Sequence, residues 1–487
     1  MSPLFRSAFE LAKDIKAGRT TSVATLDFFL ARVAAINPDL NAVVALDIER
    51  ARSRAEEADA AAAKGEDWGP LHGVPITIKD AFSTQGLVTV GGMPEHRDNI
   101  PASNAAAVQR YVDAGAIIFG KTNVPFASSD LQSFNDVYGV TNNPWDASRT
   151  CGGSSGGASA AVAAGLTPLE LGSDIGGSIR TPSHFNGVFG HKPSYGLVSA
   201  QGHLPPGEQV ISEADLSVVG PIGHCMADIE QAFDLLLGAR ATEAPAWTIS
   251  LPAASFEDAT GLRVAIWADD EFCRVDSDVA QSLTAMGDSL AALGATVDHH
   301  ARPDIDPMAN HQNYVQLLMS ALGGDMPEAV QEMAAAAVAE ADPTDMSEPM
   351  LQMRGIALSH GGWLRENERR LRIQAAWNTF FQDYDALICP CAMVPAFPHD
   401  HEPDMHARTL QVNGEQRAYT DILKWAGLTL NTYLPATAVP AGLSSDGLPI
   451  GAQVASRYLG DRTTLAVARL LEEHHRAFTP PALAREN

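Results

Sequence analysis

The chain has 487 residues, of which 45% are hydrophobic and 19% charged, as is typical of a globular protein with a large core. Its formal net charge of -26 creates a surface that repels nucleic-acid phosphates and anionic membranes, so we expect neither as a partner. No apolar run reaches the ~18 residues of a membrane span, the charged N-terminus lacks a signal-peptide pattern, and five cysteines without CxxC spacing favour a reduced, cytoplasmic protein.

The N-terminal part of the sequence has the pattern of helices. Apolar residues recur at helical spacing between Leu11 and Val33, and residues 45–65 are rich in strong helix formers and end at Gly65. We therefore predict that residues 1–65 form a helical arm that packs on the rest of the protein. Residues 66–487 are predicted to form one large domain.

From Leu71 onwards, strand-like and helix-like segments alternate, which predicts an α/β fold. The strand-like segments come from both ends of this region, which favours a single large domain. A helix-rich stretch at about 305–378 is predicted to be a variable helical cap. The predicted strands are 73–80, 115–123, 166–174, 262–269, 385–397, 437–443 and 448–456, and the predicted helices include 105–114, 278–294 and 463–475.

Two glycine- and serine-rich stretches suggest chemistry. CGGSSGGASAAVAAG, at 151–165, has the composition of a flexible linker, but GSDIGGSIRTP, at 172–182, repeats the pattern and argues against that interpretation. Glycines let several backbone N–H groups converge on one point. We therefore predict an oxyanion hole formed by the amides of Ile175, Gly176, Gly177 and Ser178, beside the Ser178 hydroxyl.

A nucleophilic serine needs a base, and no histidine of the chain lies in a recognisable triad motif. The G-x-S-x-G motif that carries the nucleophile of many hydrolases is also absent around Ser178. Lys79 ends an apolar strand, and burial would lower its pKa, by up to ~3–5 units if it were complete. Serine–lysine pairs are a known variant of the catalytic triad, so Lys79 is the candidate base.

Three motifs in this order resemble the amidase signature family, in its stand-alone bacterial form. They are GVPITIKD (73–80) and the two glycine- and serine-rich stretches, followed by GVFGHKPSYGLVS (187–199). The resemblance covers most of the chain and is weakest between about 240 and 380. It implies a central mixed β-sheet covered by helices on both faces, and an amide hydrolase that works through an acyl-serine without a cofactor or metal.

The resemblance also implies a Ser-cisSer-Lys triad. Ser178 would be the nucleophile that becomes acylated. Ser154, which follows a cis peptide bond, would relay its proton. Lys79 would be the ultimate base and would later protonate the leaving amine.

Four neighbouring residues are predicted to support this triad. Ser155 either hydrogen-bonds the lysine or the preceding serine, or caps the helix that follows it. Ser173 stands where the family often has threonine and is expected to hydrogen-bond near Lys79. Asp174 and Arg180 flank the nucleophile, and we interpret them as a structural ion pair that braces the turn.

The substrate pocket is less well defined by the sequence. Ser128, Ser129 and Asp130 lie where the family's loop lines the acyl pocket, and backbone contacts are expected there. Specificity is assigned to residues 125–137, 200–215 and the cap. Tyr314 and three other aromatic residues suggest an aromatic pocket, although core packing is the default for each. His399, His401 and His406 lack the spacing of a zinc site, so no metal is predicted.

The expected substrate is a neutral aryl or alkyl amide. Carbamates and cyclic amide oligomers remain open as alternatives with the same triad. So does an amidotransferase A-type subunit, although the sequence after KPSYGLVS departs from the pattern of that protein. An inactive scaffold is the last alternative, and the intact Lys79, Ser154 and Ser178 argue against it. Homodimer formation is left open.

Overall fold

The computed structural model describes residues 2–204, 211–240, 242–324 and 326–485. Within these ranges the helices are α1 (Ala8–Lys16), α2 (Ser22–Leu40), α3 (Ile48–Ala63), α4 (Ala106–Asp113), α5 (Gly156–Ala163), α6 (Arg180–Asn186), α7 (Met226–Leu236), α8 (Ser277–Ala292), α9 (Pro307–Gly323), α10 (Glu328–Glu340), α11 (Glu348–Ile356), α12 (His360–Asp383), α13 (Ile422–Leu430), α14 (Asp461–His474) and α15 (Ala482–Arg485). Short 3-10 turns lie at Pro94–His96, Phe126–Ser128, Ala259–Gly261 and Tyr419–Asp421.

The strands form one large mixed sheet and three smaller sheets. They are β1 (Val43–Leu46), β2 (Pro75–Lys79), β3 (Ile117–Thr122), β4 (Phe134–Asn135), β5 (Gly139–Val140), β6 (Leu169–Asp174), β7 (Phe189–Lys192), β8 (Val218–Gly223), β9 (Arg263–Ile266), β10 (Thr296–Asp298), β11 (Ala386–Pro390), β12 (Thr409–Val412), β13 (Glu415–Ala418), β14 (Ala436–Leu443) and β15 (Pro449–Ala455). The large sheet has eight strands in the order β10-β9-β11-β15-β14-β7-β8-β6.

Helices cover both faces of the eight-stranded sheet, as the resemblance implied. Its β10-β9-β11 edge is parallel and all later pairings are antiparallel. Helices α5 and α6 contact one another and the sheet, while α7 and α14 form a second contacting pair that also packs on it. The predicted α/β fold with a central mixed sheet is therefore confirmed.

A separate three-stranded sheet, in the order β1-β3-β2, lies beside the β6 edge of the large sheet. Its β2 and β3 are parallel and completely buried, which explains their nearly continuous apolar sequences. Residues 1–65 were predicted to be helical, and β1 corrects this prediction. The left-handed conformation of Asn41 ends α2, and the side chain of Asn37 accepts the next two backbone N–H groups, so Val43–Leu46 extends along β3 instead.

Two other predicted elements differ in length or surroundings. The predicted strand 385–397 is limited to Ala386–Pro390, and Pro390, which has no N–H to donate, is the last residue paired with β15. The cap, which we define as α9–α12, contributes to a second apolar cluster that includes Tyr314 and contacts Ile175.

Of the specificity loop predicted at 200–215, residues 205–210 lie outside the described residues. Among the described helices, none combines the length and apolar character that crossing a membrane requires.

Arg32 connects the N-terminal helices to the rest of the protein. It is buried, and its guanidinium donates to the carbonyls of Ala164 (2.8 Å), Gly165 (3.0 Å) and Ala484 (3.2 Å). Two of these carbonyls follow α5, so the cation also lies at the negative end of that helix.

We predict that Arg32→Met lowers the free energy of unfolding by about 2–4 kcal/mol, because buried carbonyls lose charged donors that methionine cannot replace. Thermal and urea unfolding followed by circular dichroism would measure this. The matched control is Arg52→Met, which removes an exposed ion pair with Asp27 and should leave the thermal midpoint nearly unchanged. Equal shifts in the two variants would contradict the role of Arg32.

Candidate active site

Lys79 occupies the last position of β2, where the three-stranded sheet meets β6. Its side chain is completely buried, and its Nζ lies 2.7 Å from Ser154 Oγ and 2.8 Å from Ser173 Oγ. Burial lowers the pKa of Lys79 to about 7, although the negative charges of Asp174 and Glu170 act in the opposite direction. A substantial fraction of this amine is therefore neutral at neutral pH and has a lone pair that can accept a proton.

Ser154 lies in the loop that leads into α5. The peptide bond that joins Gly153 to Ser154 is cis. Gly153 packs against the backbone of residues 130–132, and a Cβ at this position would lie 2.6 Å from the Asp130 carbonyl oxygen. The glycine is thus required by the close approach of two backbone segments, and this approach fixes the position of the Ser154 hydroxyl beside Lys79.

The structure corrects both alternatives for Ser155. This residue immediately precedes α5, but its hydroxyl does not cap the helix. It donates instead to the Ser173 carbonyl at 3.3 Å, while the Ser173 N–H approaches it at 3.4 Å. Ser155 therefore ties the start of α5 to β6, and contacts Lys79 only indirectly, through the strand that carries Ser173.

Ser178 lies in the turn between β6 and α6, at the end of a row of candidate oxyanion donors. The N–H groups of Ile175, Gly176 and Ser178 have no acceptor among the hydrogen bonds of the described residues. Gly177 is a correction to the predicted set: its N–H donates to Asp174 Oδ1 at 2.8 Å and is therefore already engaged. Three of the four predicted amides remain for a developing oxyanion.

Asp174 and Arg180 form a completely buried ion pair that shapes this turn. The Asp174 carboxylate accepts from Arg180 at 3.0 Å and from the N–H groups of Gly177 and Ile179. Burial raises the pKa of Asp174, but the Arg180 guanidinium outweighs this effect and lowers it to about 2. Arg180 also donates to the Ala426 carbonyl, so the pair connects the turn to α13.

Tyr314 holds the same turn from the cap. Its hydroxyl donates to the Ile175 carbonyl at 2.9 Å, and its side chain is completely buried. In a trans peptide the C=O and the following N–H point in opposite directions. Holding the Ile175 carbonyl therefore directs the Gly176 N–H away from the cap. The aromatic-pocket hypothesis is replaced for this residue by a structural contact.

The three predicted triad residues lie together but are not equally connected. Ser154 hydrogen-bonds Lys79, whereas no hydrogen bond joins the Ser178 and Ser154 hydroxyls in the described chain. The Ser178 carbonyl does accept the Ser155 N–H at 3.1 Å, so the two serine segments are adjacent. Ser178 is 5% exposed and Lys79 0%. Contacts between catalytic groups often tighten only when the substrate is bound.

The predicted substrate loop is held by contacts within it and with residues far along the chain. Ser129 Oγ donates to the Phe126 carbonyl at 2.7 Å, and Ser128 has a left-handed backbone conformation. The Asp130 carboxylate pairs with Arg408 at 2.7 Å and accepts from the Tyr419 hydroxyl at 2.6 Å. The Asp130 carboxylate is thus engaged by the two residues that flank the β12–β13 pair, and the Asp130 carbonyl lies against Gly153 beside the site.

Sequence reasoning missed one residue of the site. His203 Nε2 lies 2.8 Å from Ser173 Oγ, the hydroxyl that also contacts Lys79. The predicted specificity loop contains His203, but no motif distinguishes it from the other histidines, because its contact depends on a loop returning to β6 from thirty residues away.

Among the described residues, one cluster of side chains could offer ligands to a metal ion, but its contacts do not support a metal site. His224, Cys225 and Asp228 bring ligand atoms within 4.8 Å of one another. The Asp228 carboxylate, however, accepts the Ala8 N–H at 2.9 Å and the Ser7 hydroxyl, at the start of α1. These contacts explain its burial as part of the fold.

A family model described as Amidase matches residues 24–465, which is most of the chain and includes every residue of the site. This chain belongs to the amidase family. The resemblance to the amidase signature family is therefore confirmed. So is the prediction that the chain is an enzyme that hydrolyses amide C–N bonds.

Known proteins similar to this amidase have several activities in their names. Indoleacetamide hydrolase of Bradyrhizobium diazoefficiens is 32% identical over 467 residues, covering 95% of this chain and 86% of that protein. A glutamyl-tRNA(Gln) amidotransferase subunit of Prochlorococcus marinus is 31% identical over 494 residues, covering 96% and 97%. The structure of 6-aminohexanoate cyclic dimer hydrolase matches with a TM-score of 0.80 and 25% identity, covering 99% of this chain and 100% of that one.

We predict that Asp174→Asn destabilises this amidase by about 3–5 kcal/mol, because it leaves Arg180 buried without a counter-charge. The turn that carries Ser178 should distort as well, because one carboxylate oxygen becomes an amide donor facing backbone N–H groups. Thermal unfolding and amide-hydrolysis rates would measure both effects. Asp446→Asn, which alters an exposed carboxylate near Arg149, is the matched control and should change neither. A fully stable and active Asp174→Asn variant would contradict this account.

Proposed function

We propose that this protein hydrolyses a carboxylic amide through an acyl-enzyme on Ser178, with Ser154 and Lys79 as its proton relay. The observation that carries the proposal is the 2.7 Å hydrogen bond between Ser154 and a lysine whose pKa burial lowers to about 7. An amine that is partly neutral at physiological pH can act as a general base. The family match over residues 24–465 supports the reaction class.

In the first half of the reaction, Ser178 Oγ attacks the carbonyl carbon of the amide and forms a C–O bond. Its proton passes to Ser154, whose own hydroxyl proton moves to the Lys79 lone pair. The carbonyl π electrons move to oxygen, where the N–H groups of Ile175, Gly176 and Ser178 stabilise the negative charge. When the C–N bond breaks, the proton returns through Ser154 to the leaving nitrogen.

In the second half, water replaces the amine. Water attacks the acyl carbonyl, and its proton travels by the same route to Lys79. The tetrahedral intermediate then collapses, the bond to Ser178 Oγ breaks, and the proton returns to that oxygen. The products are a carboxylic acid and an amine, and the enzyme recovers its starting protonation. These steps need no metal or cofactor.

We propose a neutral aryl or alkyl amide as the substrate. Indoleacetamide, in the name of one relative, belongs to this class. The net charge of -26 disfavours anionic substrates through long-range repulsion.

The alternatives are separable by experiment. Cyclic amide oligomers share the same chemistry and are supported by the 6-aminohexanoate cyclic dimer hydrolase structure, and carbamates require only a different acyl pocket. An amidotransferase component has comparable sequence support, although the acidic surface suits tRNA poorly. That alternative predicts co-purifying subunits and transfer of ammonia from glutamine. The inactive scaffold predicts no acylation at all.

A small fluorophosphonate should label the purified protein once, at Ser178, because the reagent reports on an activated serine without requiring the natural substrate. Intact-mass spectrometry and peptide mapping would detect the adduct. Ser178→Ala should abolish it, and Ser445→Ala, which alters an exposed serine on a distant turn, should leave it unchanged. A folded wild-type protein that forms no adduct, or forms it elsewhere, would refute Ser178 as the nucleophile.

Lys79→Ala should reduce amide hydrolysis more than ester hydrolysis, by at least an additional factor of about ten, because an amide nitrogen must be protonated to leave and an alkoxide need not be. In the wild type, kcat/KM should rise as the pH increases through about 7, where Lys79 loses its proton and becomes a base. Matched ester and amide substrates assayed between pH 5 and 9 would test both expectations. Equal losses on the two substrates, or a flat wild-type profile, would remove Lys79 from these roles.

A further inference from the structure

His203 is held firmly beside the proposed proton relay. Its ring packs against Phe82 with 4.8 Å between ring centroids, and the two residues are joined by a backbone bridge. The neighbouring Gly202 carbonyl accepts the Ser83 N–H at 2.9 Å, and the Leu204 N–H donates to the Ala81 carbonyl at 3.1 Å. The loop therefore runs beside the segment directly after Lys79, and these contacts hold its histidine against that segment.

The hydrogen bonds around Lys79 pose a question of proton direction. A neutral amine has two N–H donors and one lone pair, and its Nζ contacts two hydroxyls, Ser154 and Ser173. The lone pair must face Ser154 to accept its proton. If the Ser173 hydroxyl donated to Lys79 instead, it would occupy that lone pair and leave the amine unable to act as a base.

One of the two neutral tautomers of His203 would resolve this competition. Its Nε2 lies 2.8 Å from Ser173 Oγ and accepts the hydroxyl proton when the ring carries its hydrogen on Nδ1. Ser173 Oγ is then left with only acceptor capacity towards Lys79, so Lys79 donates an N–H to it. The competing donor is thereby removed, and the amine lone pair faces Ser154.

We infer that His203 is a positioning residue that, as the Nδ1–H tautomer, accepts the Ser173 hydroxyl and so directs the lone pair of Lys79 to Ser154. The inference rests on the proposed function of Lys79 as the base. The opposite tautomer would donate to Ser173, turn its hydroxyl to Lys79 and block the relay. No covalent step is added, and His203 does not touch the substrate.

The electrostatic surroundings of His203 agree with a neutral ring. Burial and the positive charge of Lys79 both lower its pKa far below the ordinary value of a histidine. The carboxylates that act on Lys79 are Asp174, on the same strand as Ser173 but engaged by Arg180, and Glu170 further along that strand. A doubly protonated ring, which could only donate, is therefore disfavoured throughout the working range of pH.

The test compares variants by the second-order rate constant for fluorophosphonate labelling of Ser178, which reports on activation of the nucleophile. His203→Phe keeps a ring against Phe82 but removes the acceptor, and should slow labelling about tenfold or more. His203→Gln can place an amide oxygen where Nε2 lies and should stay within about threefold of wild type. His203→Asn is too short to reach Ser173 and should resemble His203→Phe, so it carries the test if the phenylalanine variant does not fold.

A double-mutant cycle separates positioning from a merely structural role. In a Ser173→Ala background the histidine has no hydroxyl to orient, so adding His203→Phe should change the labelling rate by less than about twofold. A structural role predicts the same loss in both backgrounds. The matched control is His300→Phe, an exposed histidine that follows β10 at the opposite edge of the large sheet.

The outcomes also distinguish this inference from the proposed function. Wild-type rates in folded His203→Phe and His203→Asn would overturn the role of His203, and so would equal losses with and without Ser173. If Lys79→Ala slows labelling in the same series, the proposed relay stands even when the role of His203 fails. If the wild-type protein is not labelled at Ser178, the proposed function fails first.

Discussion

The burial of one amine without a carboxylate partner is the constraint on which the site depends. Among the described residues, Lys79 Nζ hydrogen-bonds two hydroxyls and no charged group. Hydroxyls satisfy its donors but add no full negative charge, so burial dominates and the pKa falls to about 7. The charge of Asp174 raises that pKa, but its carboxylate makes no hydrogen bond to the amine. Arg180 and the backbone amides of the turn occupy its oxygens instead. The ion pair therefore keeps this carboxylate from hydrogen-bonding the lysine and raising its pKa further.

The site lies at the junction between two sheets. Lys79 ends β2 of the three-stranded sheet, and Ser173 belongs to β6 at the edge of the large sheet. The two strands carry different backbone ladders, so their relative position is fixed by packing and side-chain bonds. Gly157 of α5 shows how tight this packing is, because a Cβ there would lie 2.6 Å from the Asn123 carbonyl oxygen. The small residues of α5 bring both sheets close enough for one lysine to reach two serine segments.

Features that depend on neighbouring residues could be predicted from the sequence. Features that depend on contacts between distant segments could not. Alternating strand-like and helix-like segments predict the α/β fold, and the family resemblance carried by three motifs implies the grouping of Lys79 with the serines. Strand β1 was missed because its short apolar run lies between two helices and becomes a strand only by pairing with β3, about eighty residues later. The engagement of Gly177 by Asp174 was missed for a different reason. A glycine pair indicates that N–H groups can converge, but not which acceptor they meet. The roles of His203 and Ser155 were missed in the same way, because both side chains hydrogen-bond Ser173 of β6, which is distant from them in the sequence or on another element.

The position of His203 changes how the loop at 200–204 should be understood. The sequence assigned this loop to substrate specificity, yet its histidine contacts the hydroxyl that partners the lysine. The cap reaches the same centre from another side, through Tyr314 and the Ile175 carbonyl. Two segments that are assigned to substrate choice thus each hydrogen-bond a residue beside the proposed catalytic groups. Variation in these segments would then alter the direction of a proton or of an oxyanion donor as well as the shape of the pocket. Under the proposed function, a substitution in either segment would therefore change reactivity together with substrate choice, because each segment hydrogen-bonds a residue beside the proposed relay or oxyanion donors.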